Sequence, residues 1–304
     1  MVGDPGPLVT GAEKARVRAE DGGLAGTRFY KLSGSGNDFV FFDARRGLPA
    51  FAGDVTAVAA LCARGPGIGA DGVVFLDAPE PGMARIVYLN RDGSRAALCG
   101  NATLCTARLA VHLGMFAEGD AFVIRTDSGD LRAQVAPGGG PSFEFDAVRE
   151  LATDAAEVPA AEVPATDGAE ESRVGYALAG VPHVVVRVRD VDAVDLDGRG
   201  RQLRRAAATR PAGANVNFVS PAGDGSWRMR TFERGVEGET LACGTGAVAC
   251  AAVLRAWGDA GEVTRLVTRS GSPVVVTQPS ADGRGPVLAG EGRLVFEGLL
   301  REWR

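Results

Sequence analysis

Two cysteines, Cys99 and Cys243, stand at matching places in two similar stretches of the sequence. Each is followed by a glycine, a polar residue and an alanine-rich run, and each run ends on a glycine, at Gly114 and at Gly258. The runs predict helices, so each thiol is expected at the amino-terminal end of one. A helix amino terminus favours nearby negative charge and lowers the pKa of a thiol towards the reactive thiolate. The pattern therefore predicts two activated thiols that face one cleft.

The remaining three cysteines have a simpler interpretation. Cysteine is commonly buried as a small hydrophobic residue, and we interpret Cys62, Cys105 and Cys250 in this way. The spacings Cys99–Cys105 and Cys243–Cys250 differ from the short loops that chelate zinc, so no metal site is predicted. The odd number of cysteines and the lack of a signal peptide favour reduced thiols and a cytoplasmic location.

The residues that follow each cysteine are suited to binding an anion. Gly100 and Gly244 allow a ligand to approach the backbone closely, and Asn101 and Thr245 are predicted N-caps that add side-chain donors. Backbone N–H groups at the same helix ends can hold a substrate carboxylate. A base and an anion receptor would then lie side by side in both copies.

The similarity of the two stretches extends well beyond the cysteines. A repeat of this length predicts two related domains and not a solenoid. The pairs of segments that we match are 37–40 with 215–219, 92–94 with 237–239, and 126–129 with 268–271.

Length and composition limit the classes of function. The chain has 304 residues and a net charge of −5, which fits a globular protein of two domains. Its positive charge is spread and forms no basic stripe, so no nucleic acid is predicted as a partner. The only lysines are Lys14 and Lys31, whereas a pyridoxal-phosphate enzyme needs a lysine for its Schiff base. No apolar stretch is long enough to cross a bilayer, so no membrane association is predicted.

Changes in composition divide the chain. Residues 1–27 are predicted to be a disordered leader, 28–142 an N-terminal domain and 143–292 a C-terminal domain, with 293–304 returning to the first. The glycine-rich segment 137–141 is a predicted linker, and the Ala-Glu-Val-Pro repeat within 156–165 a predicted solvated loop.

The predicted elements are many strands and one long helix in each half. They favour an α/β (α+β) fold of two pseudo-symmetric domains, each a mixed sheet wrapped around a central helix, with an active-site cleft between them. Asp54 is the predicted N-cap of a short helix over Val55–Cys62. Predicted strands cover 29–32, 73–76, 85–89, 122–124, 131–135, 184–188, 215–219, 228–232 and 294–299.

A series of motifs in a fixed order is similar to those of the diaminopimelate epimerase family, from about Tyr30 to Gly258. The motifs are Lys31-x-x-Gly34-x-Gly36-Asn37-Asp38-Phe39, Gly67-Ile68-Gly69-Ala70-Asp71, Asn90-x-Asp92-Gly93-Ser94, Cys99-Gly100-Asn101, Gly180-Val181-Pro182-His183, Asn215-Val216-Asn217-Phe218, Glu233-Arg234-Gly235 and Ala242-Cys243-Gly244-Thr245-Gly246.

The resemblance implies a cofactor-independent isomerase that interconverts LL- and meso-2,6-diaminopimelate in lysine and peptidoglycan biosynthesis, usually as a homodimer. Inverting a stereocentre needs a proton removed from one face of Cα and another returned to the opposite face, which Cys99 and Cys243 could do as a pair of bases. By similarity, His183 and Glu233 tune the pKa values of the cysteines. The substrate-binding residues implied are Asn37, Asn90, Gly100, Asn101, Asn215, Glu233, Arg234, Gly244 and Thr245.

The sequence departs from the family pattern at four positions. Ala102 and Leu104 stand where the family often has a glycine and an arginine, which changes the surface of the helix but not the thiol. Many members have a glutamine at the position of Gly72 and an asparagine at that of Val181. Both of those side chains can contact substrate in the family, so part of the recognition of the distal group is expected to differ here.

Two alternatives remain open at this stage. A racemase of proline, hydroxyproline or histidine would keep the fold and the two-thiol chemistry, although a substrate with one carboxylate has less use for the pair Glu233 and Arg234. A redox protein that cycles a disulfide between Cys99 and Cys243 belongs to another class. Such proteins usually place their cysteines close in sequence or provide an exposed resolving thiol.

Overall fold

A computed structural model describes residues 25–153, 171–205, 213–279 and 284–301. Residues 1–24 of the predicted leader and the predicted loop at 156–165 lie outside the described residues. The chain divides into two compact units. The first comprises residues up to Pro141 together with those from Gly292 onward, and the second runs from Ser142 to Glu291.

The first unit is a mixed sheet with two helices. Helix α1 (Val55–Cys62) begins at its predicted N-cap, because the Asp54 carboxylate accepts hydrogen bonds from the N–H groups of Thr56 (2.9 Å) and Ala57 (3.2 Å). The longer helix is α2 (Gly100–His112). The strands are β1 (Arg28–Gly34), β2 (Asn37–Asp43), β3 (Gly72–Asp77), β4 (Met83–Asn90), β5 (Arg95–Ala96), β6 (Ala121–Thr126), β7 (Gly129–Val135) and, from the far end of the chain, β18 (Arg293–Leu299).

The sheet of the first unit curves around α2. Strand β1 pairs antiparallel with β18 and with β2, β2 pairs parallel with β3, and β3 pairs antiparallel with β4. Beyond β4, β6 is parallel to it and β7 is antiparallel to β6. Helix α2 packs against β1 and β18 at one side of the sheet and against β6 and β7 at the other. On the opposite face, α1 lies over an apolar core that includes Phe42, Phe75 and Leu61.

The second unit repeats this plan. Helix α3 is Leu196–Arg204, with Asp195 accepting from the Gly198 N–H at 3.1 Å, and helix α4 is Gly244–Ala256. The strands are β8 (Pro141–Glu144), β9 (Arg149–Ala152), β10 (Glu171–Ala179), β11 (Val181–Val188), β12 (Asn215–Pro221), β13 (Trp227–Glu233), β14 (Gly238–Thr240), β15 (Val263–Val267), β16 (Pro273–Thr277) and β17 (Val287–Ala289).

Strand pairing in the second unit has the same order of directions. Strand β10 is antiparallel to β9 and β11, β11 is parallel to β12, and β12 is antiparallel to β13. Strand β15 is parallel to β13, and β16, β17 and β8 continue antiparallel. Helix α4 is buried on almost all sides, as expected of a helix that a sheet surrounds, and it packs against β10, β11, β12 and β16. The predicted mixed α+β class with two repeated domains is therefore confirmed.

The topology corrects one part of the predicted repeat. We matched the segment of Asn37 with that of Asn215, but Asn37 lies in β2 and Asn215 in β12, whose counterpart is β3. In the parallel pairs, Phe39 aligns with Gly72 and His183 aligns with Asn215, so Gly72 and Asn215 are the equivalent positions. An asparagine before an apolar run is common to many buried strands, and only the pairing distinguishes them.

Gly26 and Thr27, which we predicted to belong to the leader, make backbone hydrogen bonds with the first unit. Gly26 donates its N–H to the Leu300 carbonyl at 2.6 Å, and Leu300 donates to the Thr27 carbonyl at 3.0 Å. These bonds continue the antiparallel pairing of β1 with β18 beyond the ends of the two strands. Within the described part of the chain, we find no helix that combines the length and the apolar character needed to cross a membrane.

Candidate active site

Both predicted catalytic cysteines are the N-cap residues of the two central helices. Cys99 precedes α2 with φ −137° and ψ 113°, and Cys243 precedes α4 with φ −131° and ψ 107°. Their carbonyl groups accept the first helical hydrogen bonds, from the N–H groups of Thr103 and Ala247, both at 2.9 Å. Cys99 is partly exposed and Cys243 is 7% exposed. The two thiols thus share one backbone setting, at the helix end where the dipole favours a thiolate.

The prediction that Asn101 and Thr245 are N-caps is wrong. Each is the second residue of its helix, because the extended backbone that an N-cap requires is already found at the cysteine. Their side chains make other contacts. The Thr245 hydroxyl lies 3.5 Å from Cys243 Sγ, and Asn101 Nδ2 donates to Asn37 Oδ1 at 2.7 Å. Gly100 and Gly244 are therefore the first residues of the helices, where the backbone N–H groups have no partner within the helix.

In the first unit, a chain of amides links β2 to the start of α2. Asn37 accepts from Asn101 and donates through Nδ2 to Asp71 Oδ2 at 2.9 Å. The same Asp71 oxygen accepts the Asp38 N–H at 3.2 Å. Asn101 Oδ1 is buried and has no hydrogen-bond partner among the described residues. Asp71, which we did not single out as a site residue, therefore orients Asn37.

A group of charges stands behind this chain of amides. Asp38 pairs with Lys31 Nζ at 2.7 Å and with Arg64 at 2.6 Å, and Arg64 also contacts Asp71 at 2.9 Å. Burial alone would raise the pKa of Asp38, but the hydrogen bonds from Arg64 and Lys31 hold that pKa below its usual range. Lys31 is thus engaged in a buried ion pair, and Lys14 lies outside the described residues.

Asn90 ends β4 beside Gly72, its partner across the strands. Its Nδ2 donates to Ser94 Oγ at 3.0 Å, which ties the side chain to the following turn. The ring of Tyr88 occupies the space over Gly72: a Cβ built on Gly72 would lie 2.5 Å from Tyr88 Cε2 and 3.0 Å from its hydroxyl. The space beside Gly72, where many family members carry a glutamine side chain, is therefore occupied by the ring of Tyr88 from the neighbouring strand. Tyr88 was not among the predicted residues, although its i, i+2 spacing from Asn90 places both side chains on one face of β4.

In the second unit, Asn215 begins β12 and Glu233 ends the neighbouring strand β13. Asn215 Oδ1 accepts the backbone N–H of Arg234 at 2.7 Å, so this amide holds the turn that carries Arg234. The Arg234 guanidinium donates to the Gly213 carbonyl at 3.4 Å. Burial raises the pKa of the Glu233 carboxyl.

His183 is completely buried in β11 and has two polar neighbours in its network. Asn217 Nδ2 lies 3.1 Å from His183 Nδ1, and Asn217 Oδ1 accepts from the Thr231 hydroxyl at 3.0 Å. Burial, followed by the charge of Arg234, lowers the pKa of His183 to about 3. A neutral imidazole cannot act on the cysteines through positive charge, so any influence it has on them must come from hydrogen bonding.

The other cysteines lie in apolar surroundings. Burial raises the pKa of Cys62 to about 11 and that of Cys250 well above its usual value, and Cys105 is completely buried. None of the five cysteines, all of which lie within the described residues, forms a disulfide. The same residues contain no group of three or more His, Cys, Asp or Glu side chains arranged to hold a metal ion.

The predicted site residues fall into two sets, one in each unit. The first set is Cys99, Gly100, Asn101, Asn37 and Asn90. The second is Cys243, Gly244, Thr245, His183, Asn215, Glu233 and Arg234. Asp71, Tyr88, Asn217 and Thr231 are the additions that contacts reveal.

Comparison with known proteins gives a family match over both repeats. The model of the family described as diaminopimelate epimerase matches residues 29–149 and 175–295. A diaminopimelate epimerase from Gemmatimonas aurantiaca is 47% identical over 282 residues, which cover 90% of this chain and 98% of that protein. The diaminopimelate epimerase of Aquifex aeolicus is 38% identical over 284 residues, covering 90% and 98%.

Solved structures with the same fold have much lower sequence identity. A phenazine biosynthesis protein of the PhzF family from Bacillus anthracis superposes with a TM-score of 0.67 at 16% identity, covering 90% of this chain and 98% of that one. This similarity supports the fold, and the sequence relatives above carry the information about chemistry.

Proposed function

This chain belongs to the diaminopimelate epimerase family, and on that premise we propose that it interconverts LL- and meso-2,6-diaminopimelate. It is an isomerase, and the reaction belongs to lysine biosynthesis. The observation that carries the mechanism is the duplicated helix start: each repeat matched by the family places a cysteine at the N-cap of its central helix.

The proposed reaction uses the two thiols as a pair of bases without a cofactor. One cysteine, as thiolate, takes the proton from Cα and becomes a thiol. The other, as thiol, gives its proton to the opposite face of the same carbon and becomes a thiolate. The protonation states of Cys99 and Cys243 are exchanged after one turnover, so the reverse reaction uses the same residues in exchanged roles.

The carbanion formed between these two steps needs strong stabilisation. The amino-terminal N–H groups of α2 and α4 supply preorganised donors, and Gly100 and Gly244 have no side chain that would block a ligand from these groups. Dipoles that already point at the developing charge need no reorganisation as the proton leaves. We therefore assign the binding of the reacting carboxylate to these helix ends.

The remaining residues are proposed to recognise the rest of the substrate. Arg234 suits the distal carboxylate, because a guanidinium can donate two parallel hydrogen bonds to it. Glu233 suits an ammonium group, whose charge would favour ionisation of a carboxyl that burial disfavours. Amide donors and acceptors, together with the hydroxyl of Thr245, complete the proposed contacts through Asn37, Asn90, Asn101 and Asn215.

A deuterium-exchange assay tests the substrate and the class of reaction together. The purified protein is incubated in heavy water with LL-diaminopimelate, and the entry of deuterium at Cα and the appearance of the meso isomer are followed. Exchange with proline, hydroxyproline or histidine but not with diaminopimelate would assign the chain to another racemase. Disulfide reduction without any exchange would support the redox alternative.

Substitution of either catalytic cysteine tests the two-base scheme. We expect Cys99→Ser and Cys243→Ser each to lower turnover by roughly 100-fold or more, because a hydroxyl is a far weaker acid than a thiol. The control is Cys62→Ser, which changes a buried thiol in the core of the first unit. Its turnover should stay within about twofold of wild type once the fraction folded is accounted for. Wild-type turnover in either Cys99→Ser or Cys243→Ser would rule the scheme out.

We also propose that the protein acts in the cytoplasm as a homodimer. Three apolar side chains of β18 support a contact with a second copy, since Val295, Phe296 and Leu299 are 44%, 48% and 43% exposed. Sedimentation over a range of protein concentrations should give the mass of two chains. A constant mass of one chain would overturn the proposed dimer without affecting the proposed reaction.

A further inference from the structure

The buried imidazole of His183 has one nitrogen held by a neighbour and one without a partner. Nδ1 lies 3.1 Å from Nδ2 of Asn217, and both side chains are completely buried. Nε2 is buried too and has no hydrogen-bond partner among the described residues. A buried polar atom without a partner costs free energy. It therefore matters for ligand binding which nitrogen of this ring carries the proton.

The orientation of the Asn217 amide decides where that proton lies. Asn217 Nδ2 also donates to the carbonyl of Val184 at 3.1 Å, and its Oδ1 accepts from the Thr231 hydroxyl at 3.0 Å. A backbone carbonyl only accepts, so the NH₂ group must face Val184 and, with its second hydrogen, His183. Nδ1 is then an acceptor, and the neutral ring carries its proton on Nε2.

The ring stays neutral across the range in which enzymes usually work. Burial and the positive charge of Arg234 lower its pKa to about 3. His183 is therefore not a proton shuttle, and it offers one N–H donor of fixed direction.

This network lies against the first turn of α4. A Cβ built on Gly246 would lie 2.4 Å from Asn217 Oδ1 and 3.2 Å from Cys243 Sγ. One glycine of the helix thus contacts both the amide that orients His183 and the thiol at the helix start. The side chain that fixes the His183 tautomer therefore lies beside the turn that carries the Cys243 thiol.

We infer that Asn217 is a positioning residue which, together with Thr231, holds His183 as an Nε2–H donor for the carboxylate of the amino-acid substrate at the start of α4. The carboxylate part of this inference rests on the proposed function, whereas the choice of tautomer does not. A neutral donor in a dry site strengthens an anion contact without changing the charge that the thiol experiences.

Nuclear magnetic resonance of ¹⁵N-labelled histidine tests the tautomer directly and needs no substrate. The chain has only two histidines, and His112→Gln leaves the His183 signals alone. We expect the wild type to show a neutral ring protonated on Nε2 at every pH between about 5 and 8. An Nδ1-protonated ring, or an imidazolium at neutral pH, would overturn the inference.

Two variants separate positioning from simple stability. Asn217→Asp keeps the shape but presents a carboxylate that accepts from Nδ1–H, so the proton should move to Nδ1 or a second proton should bind. Thr231→Ser keeps the hydroxyl and should keep the wild-type tautomer. In folded Asn217→Asp we expect kcat/KM to fall about 10- to 100-fold, which corresponds to the loss of one hydrogen bond to a charged group. In Thr231→Ser we expect kcat/KM to stay near the wild-type value. An unchanged tautomer in folded Asn217→Asp would contradict the positioning role.

Titration with diaminopimelate distinguishes the ligand from the thiol. Using Cys99→Ser to prevent turnover, we expect the Nε2–H signal to move as diaminopimelate binds. A signal that ignores the ligand and instead follows the ionisation of Cys243 would overturn the carboxylate assignment. That outcome would affect neither the tautomer, which the ¹⁵N spectra determine, nor the proposed reaction, which the exchange assay tests.

Discussion

At the scale of single residues, the surroundings of a side chain decide its chemistry more than its type does. Cys99 and Cys243 stand at helix amino termini, whereas Cys62 and Cys250 lie in apolar interiors that raise their pKa values. We therefore expect thiolate chemistry only at the cysteines that the repeat distinguishes.

The burial of His183 makes the stability of the protein depend on pH. The native ring resists protonation until about pH 3, whereas in the unfolded chain it binds a proton near pH 6.5. Between these values the unfolded state holds more protons, so the free energy of unfolding falls as the pH is lowered, by up to about 1.4 kcal/mol per pH unit. Above pH 6.5 this residue contributes no pH dependence.

Denaturant unfolding at pH 7, 6, 5 and 4 checks this expectation. The His183→Gln variant lacks this pH-dependent loss of stability. The difference between its free energy of unfolding and that of the wild type should therefore shrink as the pH falls. Carboxylates such as Asp38 titrate in both proteins and cancel in the comparison. Parallel curves for the two proteins would show that His183 is not buried as a neutral ring.

At the scale of elements, the helix start is the unit that the fold duplicates. The extended cysteine, the glycine after it and the third helical residue form one arrangement, and in α4 that third residue is Gly246. No side chain fits there, because Asn217 Oδ1 and Cys243 Sγ occupy the space. The element thus brings thiol, amide and backbone donors together.

Gly246→Ala tests this close approach. Helix propensity alone would favour alanine by about 1 kcal/mol. We expect a net loss of stability of roughly 1 kcal/mol and reduced turnover, because the added methyl group displaces Asn217 or the thiol. The control Gly261→Ala adds a methyl group where no atom lies within 4 Å, and it should change stability by less than about 0.5 kcal/mol. Greater stability of Gly246→Ala would mean that the contact can relax freely.

At the scale of the whole molecule, strands cross between the repeats. Strand β18 follows the second repeat along the chain but pairs with β1 of the first unit, and β9 follows the first repeat but pairs with β10 of the second. Leu300, after β18, is 7% exposed and belongs to the core of the first unit. Each sheet therefore needs chain from both repeats.

Leu300→Ala measures this dependence. Removing a buried leucine side chain should lower the free energy of unfolding by about 2–3 kcal/mol. The matched control is Leu151→Ala in β9, the strand that follows the first repeat and pairs with β10. Leu151 is 46% exposed, so this substitution should lower the free energy of unfolding by less than about 0.5 kcal/mol. Equal effects in chemical denaturation would show that β18 contributes little to the first unit.

The sequence alone predicted the two helices that carry Cys99 and Cys243, and with them the chemistry that we propose. Cys99 and Cys243, the glycines after them and the runs ending at Gly114 and Gly258 were enough to predict two helices with thiols at their starts. These signals are local, since helix starts and stops depend on residues within a turn of one another. The family resemblance depends on the same short motifs.

Only the tertiary structure decided which polar groups meet. The bond from Asn101 to Asn37 spans 64 positions and that from Asn217 to His183 spans 34, so both depend on which strands pair and in which register. The N-cap position, the equivalence of Gly72 with Asn215 and the phenol of Tyr88 over Gly72 depend on backbone geometry in the same way. A shift of one residue in a strand would turn each of these side chains to the other face, and no local pattern records that register.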